Sequence, residues 1–424
     1  MTTTAIMSNA ATPTVASYPP KAPRYQALDA WRGVACLLMV VFHATMQMTG
    51  WYQTVPPETD SVGRAGQTLI MATARTWIGV PIFFVISGYC IMATLDSRRR
   101  RGTQGLGEYV SCRFWRIYPP YWIALAVSVI AIWLSESFAN PGMFNGGRFT
   151  VPNPWEMSLL QWFGNLTLTE SWLPLFTGDK MTNLLPNTWT LCYEEQFYLI
   201  AGLILWLAPR RIFLSLALVT VTTVVVKTVA HRTGVDLFGT FLDGRWLILA
   251  AGIAAYYRIN YATRWQGHLI HLALLAGLAA NFFGPGRMTD WEPTKDLERF
   301  AGFAFALVIS LTYRWDRQLM STAVAKMFAW VGGMSYSIYL IHPLVTKGLS
   351  HELFRAGYRN PWFTMLVVVP ACLVLSVLAS RVFYHLVEKP FSNAASDEAK
   401  ETKKPVEVAM PELLGTPGLV LARS

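Results

Sequence analysis

Apolar runs separated by short polar breaks follow one another from Trp31 to about Leu386. A helix that crosses a bilayer needs about 20 mostly apolar residues. Ten stretches read as such spans: Trp31–Met48, Trp77–Leu95, Ile117–Leu134, Thr188–Ala208, Ile212–Ala230, Phe241–Tyr257, Leu269–Phe283, Phe300–Tyr313, Val331–Leu349 and Phe363–Leu386. The pattern predicts an all-α fold, a polytopic membrane helix bundle of about ten transmembrane helices. Residues 1–24 are polar and rich in Ala and Pro, and lack the basic-then-apolar layout of a signal peptide. They are expected to form a disordered cytoplasmic N-terminal tail. Residues 392–424 are expected to form a similar C-terminal tail, leaving 25–391 as one membrane domain. No sequence repeat stands out, which speaks against an inverted-repeat transporter.

Composition agrees with the pattern. The chain is 53% hydrophobic and 14% charged, against about 25% charged in an ordinary soluble domain. The net charge of +10 does not indicate nucleic acid, because Lys and Arg cluster beside the spans, as positive-inside topology requires. Alternate connections hold Arg98 to Arg101 with Arg113 and Arg116, then Arg210 and Arg211, Arg258 and Arg264, and Arg314, Arg317 and Lys326. The other set holds most of the acids, although Arg299, Arg355 and Arg359 also fall there. This places both termini in the cytoplasm of a bacterial inner membrane. The five cysteines share no CxxC spacing, so no metal site or disulfide framework is indicated. They read as small packing residues. The long external connection, 135–186, is rich in Trp, Phe, Pro, Gly and Asn, which suits either a sugar surface or an interfacial aromatic belt.

The chemistry begins in the first span, where Arg32 and His43 are eleven residues apart. That is close to three helical turns, so the two share a face, with a rise of about 16 Å between them. His43 then lies near mid-bilayer, where an ionisable group is a functional candidate. Imidazole titrates near neutral pH and suits removal of a hydroxyl proton.

Five segments, in order, resemble the acyltransferase-3 family of integral-membrane O-acyltransferases. They are the Arg–ten residues–His of the first span, PIFFVISGY from Pro81, RFWRIYP from Arg113, NTWTLCYEEQFYL from Asn187 and MSYSIYLIHP from Met334. The resemblance covers about Tyr25 to Phe391. Cys192 and Tyr193 before the glutamates, and Ala30 and Trp31 before the arginine, depart from the usual residues without removing a needed group. The resemblance implies a stand-alone membrane acyltransferase domain and no permanently bound cofactor. Its co-substrate is expected to be a cytoplasmic acyl-CoA, acetyl-CoA foremost. The expected acceptor is a hydroxyl of a glycan or glycolipid.

Within that frame, Arg113 and Arg116 share a helix face at the cytoplasmic end of the third span, where guanidinium forks suit the phosphates of CoA. Arg32 joins them as a donor-binding residue. Glu194 and Glu195 open the fourth span, and only one can face a given cavity. That one would orient His43 or bind the acceptor, and motif alignment leans towards Glu195. Tyr118, of the Tyr-Pro pair, and His342 are assigned to substrate binding. Ser87 and Gly88 read as packing residues, and the absence of a GxSxG elbow disfavours a serine acyl-enzyme. Direct transfer and an acyl-histidine intermediate stay open, as does a small cytoplasmic acceptor. The competing class is a transporter of a glycolipid or anion that performs no acyl chemistry.

Overall fold

The computed structural model describes residues 25–51, 61–102, 105–139, 142–146, 149–178, 180–283, 295–358 and 360–393. The tail expected at 1–24, and the second tail from residue 394 onward, lie outside the described residues. Every regular element among those described is helical. The chain opens with α1 (Ala27–Trp51), α2 (Ser61–Thr73), α3 (Gly79–Arg101) and α4 (Leu106–Leu134). The long connection after α4 holds two short helices, α5 (Leu159–Thr167) and α6 (Pro174–Thr177). Then come α7 (Trp189–Leu207), α8 (Ile212–Thr233), α9 (Trp246–Asn260) and α10 (Arg264–Phe282). The last third is built from α11 (Lys295–Thr312), α12 (Asp316–Ser321), α13 (Ala323–Gly332), α14 (Ser335–Arg355), α15 (Pro361–Phe363) and α16 (Val369–Phe383).

Five helical stretches are long and apolar enough to cross a membrane: Ala27–Thr49, Gly63–Arg101, Leu106–Phe138, Pro209–Thr233 and Pro361–Asn393. A sixth is added if α13 and α14, bent by 76° from each other, count as one span. This is fewer than the ten expected. The difference lies in four helices. α9 has 15 residues, short of a bilayer's thickness. α7, α10 and α11 have 19, 19 and 18 residues, but polar groups dilute them. Glu194, Glu195 and Gln196 interrupt α7, Arg264, Gln266, His268 and His271 open α10, and Asp296, Glu298 and Arg299 open α11.

Two glycine-lined crossings set the frame around the site. A Cβ on Gly88 of α3 would fall on the backbone carbonyl of Leu249, and one on Gly252 of α9 on that of Val85. Gly33 of α1 and Gly332 of α13 meet the carbonyls of Phe328 and Asp29 in the same way. Small residues permit backbone contact of this kind in membrane bundles. The second crossing holds α13 along the start of α1. The bend that follows sends α14 across the later half of α1.

The arginine run at the end of α3 does more than set topology. Asp96 is fully buried and accepts hydrogen bonds from Arg99 Nη2 (2.8 Å), Arg100 Nε (3.1 Å), Tyr256 Oη (2.8 Å) and Tyr261 Oη (2.6 Å). The long connection is also ordered by polar side chains. Ser158 and Gln161 form a capping box for α5. Asn165 Nδ2 donates to the carbonyls of Gln161 (2.9 Å) and Thr182 (2.7 Å), while its Oδ1 accepts from the Leu184 amide (2.9 Å).

Glu170 in this connection is 3% exposed and accepts from Thr188 Oγ1 at 2.9 Å. Burial pushes its carboxyl up to about 7 from an ordinary 4.5. The fold therefore favours the protonated form. Its contribution to stability is full below pH 4.5 and is lost as pH rises through about 7. Thermal melting in detergent should show a decline across that window, and Glu170→Gln should flatten it and melt higher than wild type above pH 7.

Candidate active site

α1, α3, α4, α7 and α14 enclose one cavity of about 410 Å³, a size that accommodates a small-molecule substrate. Arg32 and His43 both line it, as their helical spacing predicts. Arg113 and Arg116 of α4, Glu194 and Tyr198 of α7, and His342 of α14 line it as well.

One end of the cavity is cationic. Arg32 Nη1 donates to Asp29 Oδ1 at 3.2 Å, and Nη2 lies 3.1 Å from Cys90 Sγ. Arg113 Nη2 reaches Thr94 Oγ1 at 3.4 Å, with its guanidinium 4.4 Å from the centre of the Tyr198 ring. Arg116 is exposed and has no ion pair or hydrogen bond among the described residues. Three guanidinium groups with one modest acid partner make a site for a polyanion. Glu194 lines the same cavity; its Oε1 accepts from Ser87 Oγ at 2.5 Å and its Oε2 from Tyr198 Oη at 3.4 Å.

The two histidines face each other. His43 is 6% exposed and His342 2%, with ring centres 5.1 Å apart. His342 Nδ1 lies 2.7 Å from the Ile338 carbonyl. A carbonyl only accepts, so Nδ1 carries the proton, and in the neutral ring Nε2 is then a bare lone pair. That Nε2 is buried and has no partner among the described residues. A buried acceptor left open costs free energy, so the position points to a ligand or water in use.

Local chemistry holds α14 in this register. Pro343 lacks an N–H and leaves the Tyr339 carbonyl without its helical donor. Asn187 Nδ2, just before α7, fills the vacancy at 2.5 Å, and Tyr339 Oη returns a bond of 2.6 Å to the Asn187 carbonyl. Further along α14, the buried Lys347 Nζ donates to the backbone carbonyls of Gly146 (2.5 Å) and Phe149 (2.7 Å). This ties Gly146 and Phe149 to α14, with the Phe149 ring centre 4.8 Å from that of His43.

Two of the predicted residues stand apart from the cavity. Glu195, favoured by motif alignment, is not among the lining residues, and its buried Oε1 has no partner among the described residues. Tyr118 is also outside the lining, donates to the Thr167 carbonyl at 3.3 Å, and stacks on Phe114. Adjacent residues on α7 diverge by about 100°, so Glu194 alone of the pair reaches the cavity. Among the described residues no group of three or more His, Cys, Asp and Glu is placed to hold a metal.

A family model described as an acyltransferase domain matches residues 25–381. The chain belongs to this acyltransferase family. It is similar to the peptidoglycan O-acetyltransferase OatA of Listeria monocytogenes, with 24% identity over 72% of this chain and 50% of that protein. The O-acetyltransferase OatA of Staphylococcus aureus is 23% identical over 87% of this chain and 57% of its own length. The chain thus spans about half the length of the curated relatives it matches. No solved structure matches it.

Several residues of this site escaped the sequence. Ser87 and Cys90 read as packing residues, yet they contact Glu194 and Arg32. Asn187 and Lys347 were unremarked. The signal for Asn187 was Pro343 within a span, since a proline there demands that some donor meet the carbonyl four residues back.

Proposed function

We propose that this protein moves an acyl group, acetyl foremost, from cytoplasmic acyl-CoA to a hydroxyl of a glycan or glycolipid on or within the membrane. The observation that carries the reading is the convergence of three arginines, a glutamate and two histidines on one cavity. The bundle would cross the membrane about ten times with both termini inside, the helices too short or too polar to cross alone being sheltered by their neighbours. The donor's phosphates bind Arg32, Arg113 and Arg116, and its pantetheine arm extends towards the histidines. His43 takes the acceptor's hydroxyl proton as the oxygen attacks the thioester carbonyl. The C–O bond forms, the C–S bond breaks, and the proton passes to the departing thiolate. His342, with its Nε2 lone pair beside the ring of His43, shares the proton during the step. Glu194, on the same cavity, supplies a negative charge to the site. The names of the relatives support an acetyl group and a cell-wall glycan.

The test is release of CoA from acetyl-CoA by the purified protein in liposomes, with and without a glycan acceptor. Acceptor-dependent release, with the ester recovered on the glycan, is the expected result; CoA binding without turnover would sink the reading. Arg116→Ala should raise the KM for acetyl-CoA about tenfold, the loss of one charge-assisted phosphate contact, with kcat within twofold of wild type.

A further inference from the structure

At the end of the cavity away from the arginines stands a second cluster that the acyl-transfer chemistry does not use. Arg245, 6% exposed, forms a fork on Glu298 through Nε (3.0 Å) and Nη2 (3.3 Å). Its Nη1 donates to Asp243 Oδ2 (2.6 Å) and to Tyr193 Oη (2.9 Å). The same guanidinium lies 4.8 Å over the centre of the Trp189 ring. Trp189 and Glu298 both line the cavity, as does Asn187. Asn187 is 5% exposed, and its Oδ1 has no partner among the described residues.

A tie between α9 and α11 would explain the Arg245–Glu298 fork alone. It does not explain why the carboxylate and the indole open on the cavity, or why a buried carboxamide oxygen beside them lacks a donor. The charges of Asp243 and Glu298 are matched by Arg245 and Arg299, so this end is near neutral yet dense in hydrogen-bond acceptors. The opposite end is cationic. One end therefore suits a polyanion and the other an uncharged polyol with an apolar face, which is the chemistry of a sugar ring.

We infer that Trp189, Asn187 and Glu298 form an acceptor subsite for a pyranose. One ring face lies on the indole, which Arg245 holds flat from behind. A ring hydroxyl donates to Asn187 Oδ1 and another to Glu298, leaving a further hydroxyl directed at His43. The inference rests on the acyl-transfer reading and adds the acceptor's class and its contacts.

The experiment compares methyl β-glucopyranoside with the open-chain polyol glucitol as acceptors for acetyl-CoA, in wild type, Trp189→Ala and Glu298→Gln. Stacking needs the ring, so wild type should prefer the glucoside. Trp189→Ala should cut kcat/KM for the glucoside about tenfold and that for glucitol less than threefold, removing the preference. Glu298→Gln, which keeps an oxygen for Arg245, should raise the glucoside KM without moving that of acetyl-CoA. If wild type uses both acceptors equally, or Trp189→Ala lowers both alike, the subsite is overturned while acyl transfer stands. If wild type releases no CoA with either but does so with the glycan acceptor, the subsite is overturned and acyl transfer stands; if it releases none with the glycan either, both readings fall.

Discussion

His43→Ala is expected to lower acceptor-dependent CoA release about a thousandfold, within the range that a positioned general base contributes. The KM for acetyl-CoA should stay near that of wild type, since the proposed sites for the donor's phosphates, Arg32, Arg113 and Arg116, lie towards the other end of the cavity. His43 makes no hydrogen bond among the described residues, so its loss strands no partner. What it removes is a ring packed between Phe149 and His342. His43→Gln, which fills more of that space, separates chemistry from packing. It should melt close to wild type and be as inactive as the alanine variant. His342→Gln should lose less, about a hundredfold, because it shares the proton without taking it from the acceptor. The reverse order of the two losses would make His342 the base.

The second large effect concerns stability. Asp96→Ala leaves Arg99, Arg100 and the hydroxyls of Tyr256 and Tyr261 without the carboxylate that gathers them. Removing one partner of a buried ion pair costs about 3 kcal/mol or more. The side chains of Arg99 and Arg100 are 11% and 18% exposed, so water recovers only part of the loss. Asp96 carries a link from α3 to α9 and beyond, next to the Gly88–Gly252 crossing that sets the cavity wall. Thermal unfolding followed by size-exclusion in detergent should show the alanine variant melting well below wild type. Asp96→Asn, which keeps two acceptor lone pairs but no charge, should fall between them. A variant that melts with wild type would mean that this cluster is dispensable surface charge.

Much of this site could be read along one helix. Arg32 and His43 share a face because α1 is regular and uninterrupted, and spacing alone brings them to one cavity. Arg113 and Arg116 follow the same rule on α4. Sequence reasoning was less successful wherever a residue's role depends on another helix. Glu194 and Glu195 have the same chemistry and differ only in azimuth, which the approach of α3 decides through Ser87. Tyr118 points away from the cavity because α4 turns that side towards the long connection. Five or six stretches pass as spans by length and composition, and the others fall short because their apolar runs are short or broken by polar groups. In α7 the acids that interest the chemist are the same residues that dilute its apolar character. The 135–186 connection looked like a loop, since neither the capping box at Ser158 nor the bonds of Asn165 leave a periodic signature.

An activated thioester held in a protein must also be protected, because water is a hydroxyl donor present at far higher concentration than any sugar. Phe149 packs against His43, and the Lys347 ammonium donates to the carbonyls of Gly146 and Phe149, about two hundred residues earlier in the chain. A transferase differs from a thioesterase by what it keeps out, and on the proposed reading Lys347, a little over one helical turn beyond His342, would serve that exclusion.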